Sequence, residues 1–246
     1  MFKHGNRVKI LIATGLILLL SACSPRSRAV VDDPFERLNR GTHAFNKELD
    51  RNLLSPVSKG YSAVVPEPVE NSISNFSSNL SLPGKVVNNI LQLDIGSASS
   101  NTFRFAINST FGLAGLFDPS DSMGLEERDS DFGQTLQRWG VGEGAYVEML
   151  VFGPSNVRDG IGLIVDMVLL DPANYILKSP VTIYRTGSRV GEVLQKRQIY
   201  GGQIDEVLYE SADSYAQSRL VYLQSRRFQL KDNPRDAYID PYAGLE

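Results

Sequence analysis

Apolar residues recur at helical spacing along most of this chain, and Pro, Gly and Asp mark the breaks between one apolar stripe and the next. Phe35, Leu38, Thr42, Phe45 and Leu49 share one face, with Glu36, Arg37, Arg40, Lys47 and Glu48 on the others. That spacing predicts an amphipathic helix, opened by Asp33-Pro34 with the Asp33 carboxylate as cap and ending near Leu54, before Pro56. A second helix is expected after Pro66-Glu67-Pro68, running to about Leu82 on a stripe of Ile73, Phe76 and Leu80. Pro83-Gly84 breaks the pattern, and Val86, Val87, Ile90, Leu91 and Leu93 resume it in a short helix. Further helical segments are expected from Ile95 to Phe111 and over Phe132 to Trp139, followed by an extended stretch from Tyr146 to Phe152. Ser155 then caps a helix rich in Ile, Leu and Val that closes at Asp171-Pro172, and a long helix runs from Gln203 to Phe228. No long alternating strand, internal repeat or second domain stands out, so the fold class is all-α.

The polar positions are unusual. Asn71, Ser72, Ser74, Asn75, Ser77, Ser78 and Asn79 surround the second stripe where a helix in water would carry Lys and Glu, which are better helix formers. Dense uncharged polar groups suit a wet but sheltered surface, with Asn71, Ser74, Asn75, Ser78 and Asn79 as candidate lining residues; they equally suit a poorly formed helix with serine-rich caps. Residues 118 to 131 hold six carboxylates against the one cation Arg128, the pattern of a solvated loop. Calcium is a sharper reading, but the spacing lacks the alternation and closing Glu of an EF-hand loop. Gly140-Val141-Gly142-Glu143-Gly144-Ala145 nominally matches a dinucleotide loop, yet it follows an amphipathic segment and leads into an extended one, the wrong setting. Gly140, Gly142 and Gly144 read instead as a turn or a flexible gate. The helix carrying Leu163, Ile164, Met167 and Val168 is apolar over so broad a face that it is either core or lipid-facing; ten helical residues reach about 15 Å, half a bilayer core.

The first residues change the picture most. Lys3, His4, Arg7 and Lys9 precede an apolar run from Ile10 to Leu20 that is too short to span a bilayer, and Leu20-Ser21-Ala22-Cys23 follows it as a lipobox. Small residues let the backbone enter a peptidase groove, and the Cys23 thiol is the nucleophile that takes a thioether-linked diacylglycerol. Residues 1–22 are thus expected to be a signal peptide, 23–32 a lipidated tether, 33–230 the folded domain and 231–246 a loose tail. Ser24, rather than Asp, favours onward sorting to the outer membrane.

Composition then excludes chemistry. Without residues 1–22 the balance is 22 cations against 28 carboxylates, a net charge of −6, which argues against a nucleic-acid partner. The single Cys is used for lipidation, leaving no disulfide, thiolate-metal or thiol-nucleophile chemistry, and His43 alone survives processing. A serine triad would have to recruit that imidazole. No metal, cofactor or catalytic set is expected.

Asp33-Pro34-Phe35-Glu36-Arg37-Leu38-Asn39-Arg40, then Pro66-Glu67-Pro68-Val69, Asn75-Phe76, Asn79-Leu80, Pro83, Asn88 and Leu91-Gln92 resemble the MlaA (VacJ) outer-membrane lipoproteins. Arg104-Phe105, Asn108-Ser109, Gly112, Gly115, Asp118, Phe132-Gly133-Gln134-Thr135-Leu136, Gly140-Val141-Gly142, Gly144, Tyr146, Gly153-Pro154 and Arg158-Asp159 continue the match in order. Met149-Leu150 departs from it, where the family has Leu-Pro. The resemblance implies a ring-shaped helical domain in the inner leaflet of the outer membrane, with a central amphipathic channel. It also implies that strayed outer-leaflet phospholipids pass to the soluble periplasmic carrier MlaC, beside a trimeric porin. Two rivals stand: a lipoprotein that scaffolds porins without moving lipid, and a phospholipase, for which no Gly-x-Ser-x-Gly is present.

Overall fold

The computed structural model describes residues 33–170 and 181–230. The signal segment, Cys23, the tether to Asp32, the Asp171-Pro172 stop and the tail from Lys231 lie outside them. Helix α1 spans Glu36–Leu49, and Asp33 does not cap it. The Asp33 carboxylate instead accepts from Asn39 Nδ2 at 2.9 Å and from Tyr215 and Arg219, so the predicted cap is a long-range anchor. Pro56 does not end the helix either: a π turn over Asp50–Leu54 carries the chain into α2, Ser55–Val64, with Pro56 in the first turn, where a missing N–H costs little.

Helix α3 runs unbroken over Glu67–Leu91, through the Pro83 that was expected to divide it. It ends at Gln92, turns at Leu93 and returns antiparallel as α4, Ile95–Thr110, capped by Asp94, which accepts from Ser97 N at 3.0 Å. Asp118 and Asp131 cap the short α5 (Pro119–Ser122) and α6 (Phe132–Arg138). Strands β1 (Tyr146–Met149) and β2 (Gly153–Asn156) form an antiparallel hairpin with Tyr146 opposite Asn156. Asn156, rather than Ser155, caps α7, Val157–Val165, accepting from Asp159 N at 2.8 Å, and a π turn follows over Asp166–Leu170. Helix α8 is Val181–Ile199. The predicted long C-terminal helix divides into α9 (Gly201–Asp205), a π turn (Glu206–Glu210) and α10 (Ser214–Gln229), parted where Ser211 becomes extended and Asp213 caps anew. The described residues are mainly helical, with one two-stranded sheet.

Helices α6 and α7 cross at their backbones: a Cβ on Gly162 would lie 2.4 Å from Gly133 N, so only glycine fits. Beside that crossing Phe132, Leu136 and Val165 make one small apolar core, and Tyr146, Tyr215 and Leu223 make another. Polar groups fill most of the remaining interior. Among the described residues, 9 apolar side chains are buried against 25 polar or charged ones, while 34 large apolar side chains are exposed. A water-soluble domain distributes these classes the other way round.

Candidate lipid-facing surface and polar interior

The outer surface follows from where charges are missing. Along α4, Ile95, Phe103, Phe105 and Phe111 are exposed, while the helix's one charged side chain, Arg104, is turned inward. Arg104 donates to Leu125 O and to Asp118, which also accepts from Asn108 Nδ2 at 2.9 Å. This clamp closes the loop after α4, whose Leu113, Leu116 and Phe117 all point outward. Its Gly115 cannot be replaced freely, with φ of 96° and an added Cβ 2.5 Å from Asn79 Cβ. At the hairpin tip Leu150, Val151 and Phe152 are exposed too, and Asn46 fixes the turn by accepting from Val151 N at 2.8 Å and donating to Met149 O at 2.9 Å.

Among the described residues, the non-glycine positions with positive φ are Leu93 (58°), Leu113 (50°), Ala114 (60°) and Val151 (71°). Leu93 is 85% exposed, Leu113 62% and Val151 64%. Turns facing water take Gly, Asn or Asp at such φ, and a β-branched residue there is a steric outlier. A strained backbone that displays apolar side chains fits a surface whose solvent is hydrocarbon. Ile164, Met167 and Val168 are exposed as well. Leu163 is half-buried and lines a cleft of about 320 Å³ with Asp131, Asp159, Asp166, Tyr222 and Arg226.

That cleft is held by a dense ionic network. Arg226 donates to Asp159 Oδ2 at 2.8 Å and to both Asp131 oxygens at 2.7 and 2.8 Å, while Tyr222 OH donates to Asp159 Oδ2 at 2.8 Å. Burial opposes the Asp159 charge, but Arg226 and Arg158 outweigh it and hold the carboxyl at about 2. Burial wins at Asp166, whose pKa is raised although it accepts from Phe132 N at 2.8 Å and Asn88 Nδ2 at 2.7 Å.

The five candidate lining residues separate. Asn71 is exposed and accepts from Gln195 Nε2 at 2.7 Å, and Ser74 and Asn75 are half-buried. Ser78 donates to Glu127 at 2.7 Å, and Asn79 is buried between α3 and α4, donating to Ser109 Oγ at 3.1 Å. The polar ladder continues beyond these five candidates. Asn101 donates to Asn89 Oδ1 at 2.9 Å, Thr135 to Asn88 Oδ1 at 2.9 Å and Gln92 to Ser130 Oγ at 2.8 Å. Asn recurring inside otherwise apolar stripes was the signal for it.

The acidic run is strapped down rather than free. Lys85 pairs with Glu127 and Asp129, Asp118 holds Arg104, Asp131 holds Arg226, and Asn101 bonds the backbone of Arg128 in both directions. The glycine segment begins as a turn. Gly140, with φ of 89°, ends α6 in a Schellman turn, Gly140 N to Gln137 O and Val141 N to Leu136 O, both 2.9 Å. Gly142 has an ordinary φ and open space around it, while a Cβ on Gly144 would lie 3.2 Å from Val157 Cβ. The segment leads into β1 and opens no helix, which removes the dinucleotide reading.

His43 is brought between Glu148 and Ser214, with Nδ1 3.3 Å from Glu148 Oε1 and Nε2 3.1 Å from Ser214 Oγ, a grouping not visible in the sequence. Both His43 and Glu148 are buried, and Lys47 Nζ also donates to Ser214 Oγ at 3.3 Å. Asp213 takes the Ala216 N–H at the start of α10, so that helix end is already engaged. The group reads as a clasp joining α1, β1 and α10.

Fold and surface together define an all-α protein turned inside out, apolar toward its surroundings and polar within. The chain belongs to the MlaA lipoprotein family, whose sequence model matches residues 31–229. It is 31% identical over 223 residues to the intermembrane phospholipid transport system lipoprotein MlaA of Escherichia coli, covering 88% of this chain and 86% of that one. An uncharacterized protein of Rickettsia felis is 31% identical over 196 residues, 80% of this chain and 77% of its own. A solved structure presented as the structural basis for maintenance of bacterial outer membrane lipid asymmetry superposes with a TM-score of 0.67 at 30% identity. That match covers 81% of this chain and 99% of the other.

Proposed function

We propose that this protein is an outer-membrane lipoprotein that sits in the inner leaflet, anchored at Cys23, and removes strayed phospholipids from the outer leaflet. It hands them to a soluble periplasmic carrier of the MlaC kind, beside a trimeric porin. The observation that carries this reading is the inverted polarity: charge-free apolar surfaces outside and Asn, Ser and paired charges inside. No helix among the described residues is long and apolar enough to cross a membrane, which suits a body seated in one leaflet. A ring with a central amphipathic passage is the architecture proposed for it, with Asn71, Ser74 and Asn75 as the lining residues that remain accessible. A lipid in such a passage needs no covalent chemistry, since acyl chains stay against apolar surface while the headgroup meets hydroxyls and amides. The scaffold reading keeps the anchor and the porin but no lipid movement.

The test is outer-leaflet phospholipid measured in cells with and without the protein. Its loss should raise outer-leaflet phospholipid and the wild-type chain should restore the baseline, whereas Cys23→Ser should leave an unprocessed precursor that restores nothing. Unchanged outer-leaflet lipid together with reduced porin assembly would establish the scaffold instead.

A further inference from the structure

Among the described residues, many of the interior charges are paired. Arg197 is shared by Asp50 and Asp205, Lys85 by Glu127 and Asp129, and Arg104 holds Asp118. Glu70, in the first turn of α3, is only 7% exposed, and its Oε1 is buried with no hydrogen-bond partner. The Tyr61 hydroxyl on α2 is also buried and unpartnered. The two lie within electrostatic reach: burial first, and the Glu70 charge second, push the Tyr61 pKa up, which keeps the phenol neutral and able to accept.

Helix α8 packs beside Tyr61. Its Gly191 packs so closely there that an added Cβ would lie 3.4 Å from Tyr61 Oη and 2.8 Å from Ile73 Cγ2. One turn earlier Ile183, Thr186, Gly187 and Val190 line an open hollow of about 500 Å³. An apolar hollow on α8 and an unsatisfied anionic acceptor on α3, which packs against α8, therefore lie on neighbouring helices, an arrangement that suits the chain and headgroup of an amphiphile. A carboxylate can only accept hydrogen bonds, so the missing group is a donor, and a compact ammonium with three N–H groups matches its charge as well.

The geometry points to a headgroup subsite for a primary ammonium at Glu70 and Tyr61, with an acyl chain of the same lipid in the α8 hollow. The ligand class is an amine-bearing phospholipid. This rests on the lipid-passage reading above and adds a headgroup preference to it. A phosphoglycerol headgroup brings only acceptors and hydroxyls to the same place and leaves the carboxylate without a counter-charge.

The experiment uses the full lipidated protein, purified in detergent and incubated with mixed micelles holding equal amounts of phosphatidylethanolamine and phosphatidylglycerol. Retained lipid is then extracted and quantified by mass. Wild type should retain the ethanolamine lipid several-fold over the glycerol lipid. Glu70→Gln, which keeps shape and loses charge, should bring the ratio to one with total lipid unchanged, and Tyr61→Phe should lower it. Competition with deacylated glycerophosphoethanolamine and with sodium chloride separates sources. Suppression of the enrichment by the deacylated amine supports the subsite, and equal suppression by sodium overturns it in favour of a simple cation site. Equal retention of both lipids by wild type, or enrichment that survives in Glu70→Gln, overturns the subsite and leaves the passage standing. Retention of no lipid overturns both. Circular dichroism checks folding, and if Glu70→Gln is unfolded the Tyr61→Phe ratio decides.

Discussion

Leu93 and Val151 hold backbone conformations that their own side chains oppose, and each puts an apolar group outside. Leu93 occupies the left-handed position of a Schellman turn, with Leu93 N to Ile90 O and Asp94 N to Asn89 O both at 2.9 Å, where Gly is the usual occupant. Leu93→Gly should relieve roughly 1 kcal/mol of local strain after the added freedom of the unfolded chain is subtracted. It also removes a side chain worth about 1.5–3 kcal/mol when buried in hydrocarbon. In a version lacking the acyl anchor, vesicle flotation should therefore fall at least about tenfold while the denaturant midpoint holds or rises; unchanged flotation would mean that Leu93 meets water. Asp159 gives the residue-scale prediction for pH. Its folded pKa of about 2 lies below the ordinary 3.8 of an aspartate, so its contribution is fully present above pH 4 and is lost as pH falls through 2. The shift corresponds to on the order of 2 kcal/mol. Asp159→Asn should lower the unfolding free energy at pH 7 by at least that much and flatten its dependence between pH 4 and 2, followed by urea titration at each pH.

Among the elements, the α6–α7 crossing depends on two glycines. Gly162→Ala would press a methyl into the Gly133 backbone, which cannot yield as a flexible side chain would, and a loss of about 3 kcal/mol or more is expected. Gly142→Ala has open space and an ordinary φ, so it should change thermal stability by less than about 0.5 kcal/mol. Should Gly142→Ala fold normally but raise outer-leaflet phospholipid, the segment is a gate after all. The same elements show what the sequence made legible. Apolar spacing located nearly every helix it was asked about, because burial of one face is a local pattern. It failed where a break depends on tertiary structure. Pro56 and Pro83 look like stops, yet Pro56 falls in a first turn and α3 continues through Pro83. The π turns left no periodic trace, although the first places Asp50 to accept from Arg197 at 2.7 Å and from Tyr209 at 2.7 Å. The Arg197 and Tyr209 bonds overcome the cost of burial and hold Asp50 below the usual carboxylate range.

At the scale of the molecule, the apolar face of α7 and its π turn should carry the body into lipid. Val168→Lys places a charge on it, at a cost of about 2.5–3.5 kcal/mol at mid-depth and less near an interface. Without the acyl anchor, that variant should lose vesicle association; full association would make this face incidental. The candidate site was legible in kind but not in place. Ser and Asn around an apolar stripe announced a sheltered polar interior, yet Ser78 is used to hold the acidic loop and Asn79 in helix packing, and Glu70 with Tyr61 shows only when α2, α3 and α8 meet. Ser78 and Asn79 bond residues 49 and 30 positions away, and α8 comes from more than 100 residues beyond Glu70, so nothing in local spacing joins them.

The polar interior also fixes how the protein responds to temperature. Heat capacity rises on unfolding when apolar surface is newly wetted, and falls when polar surface is. A body that hides amides, hydroxyls and ion pairs, and leaves its aromatic and aliphatic groups in the surrounding detergent or lipid, should unfold with a heat-capacity increment well below the ~12–15 cal/mol/K per residue of water-soluble domains. Its stability curve should be correspondingly flat, changing little between cold and warm growth, and scanning calorimetry in detergent would read that curvature directly.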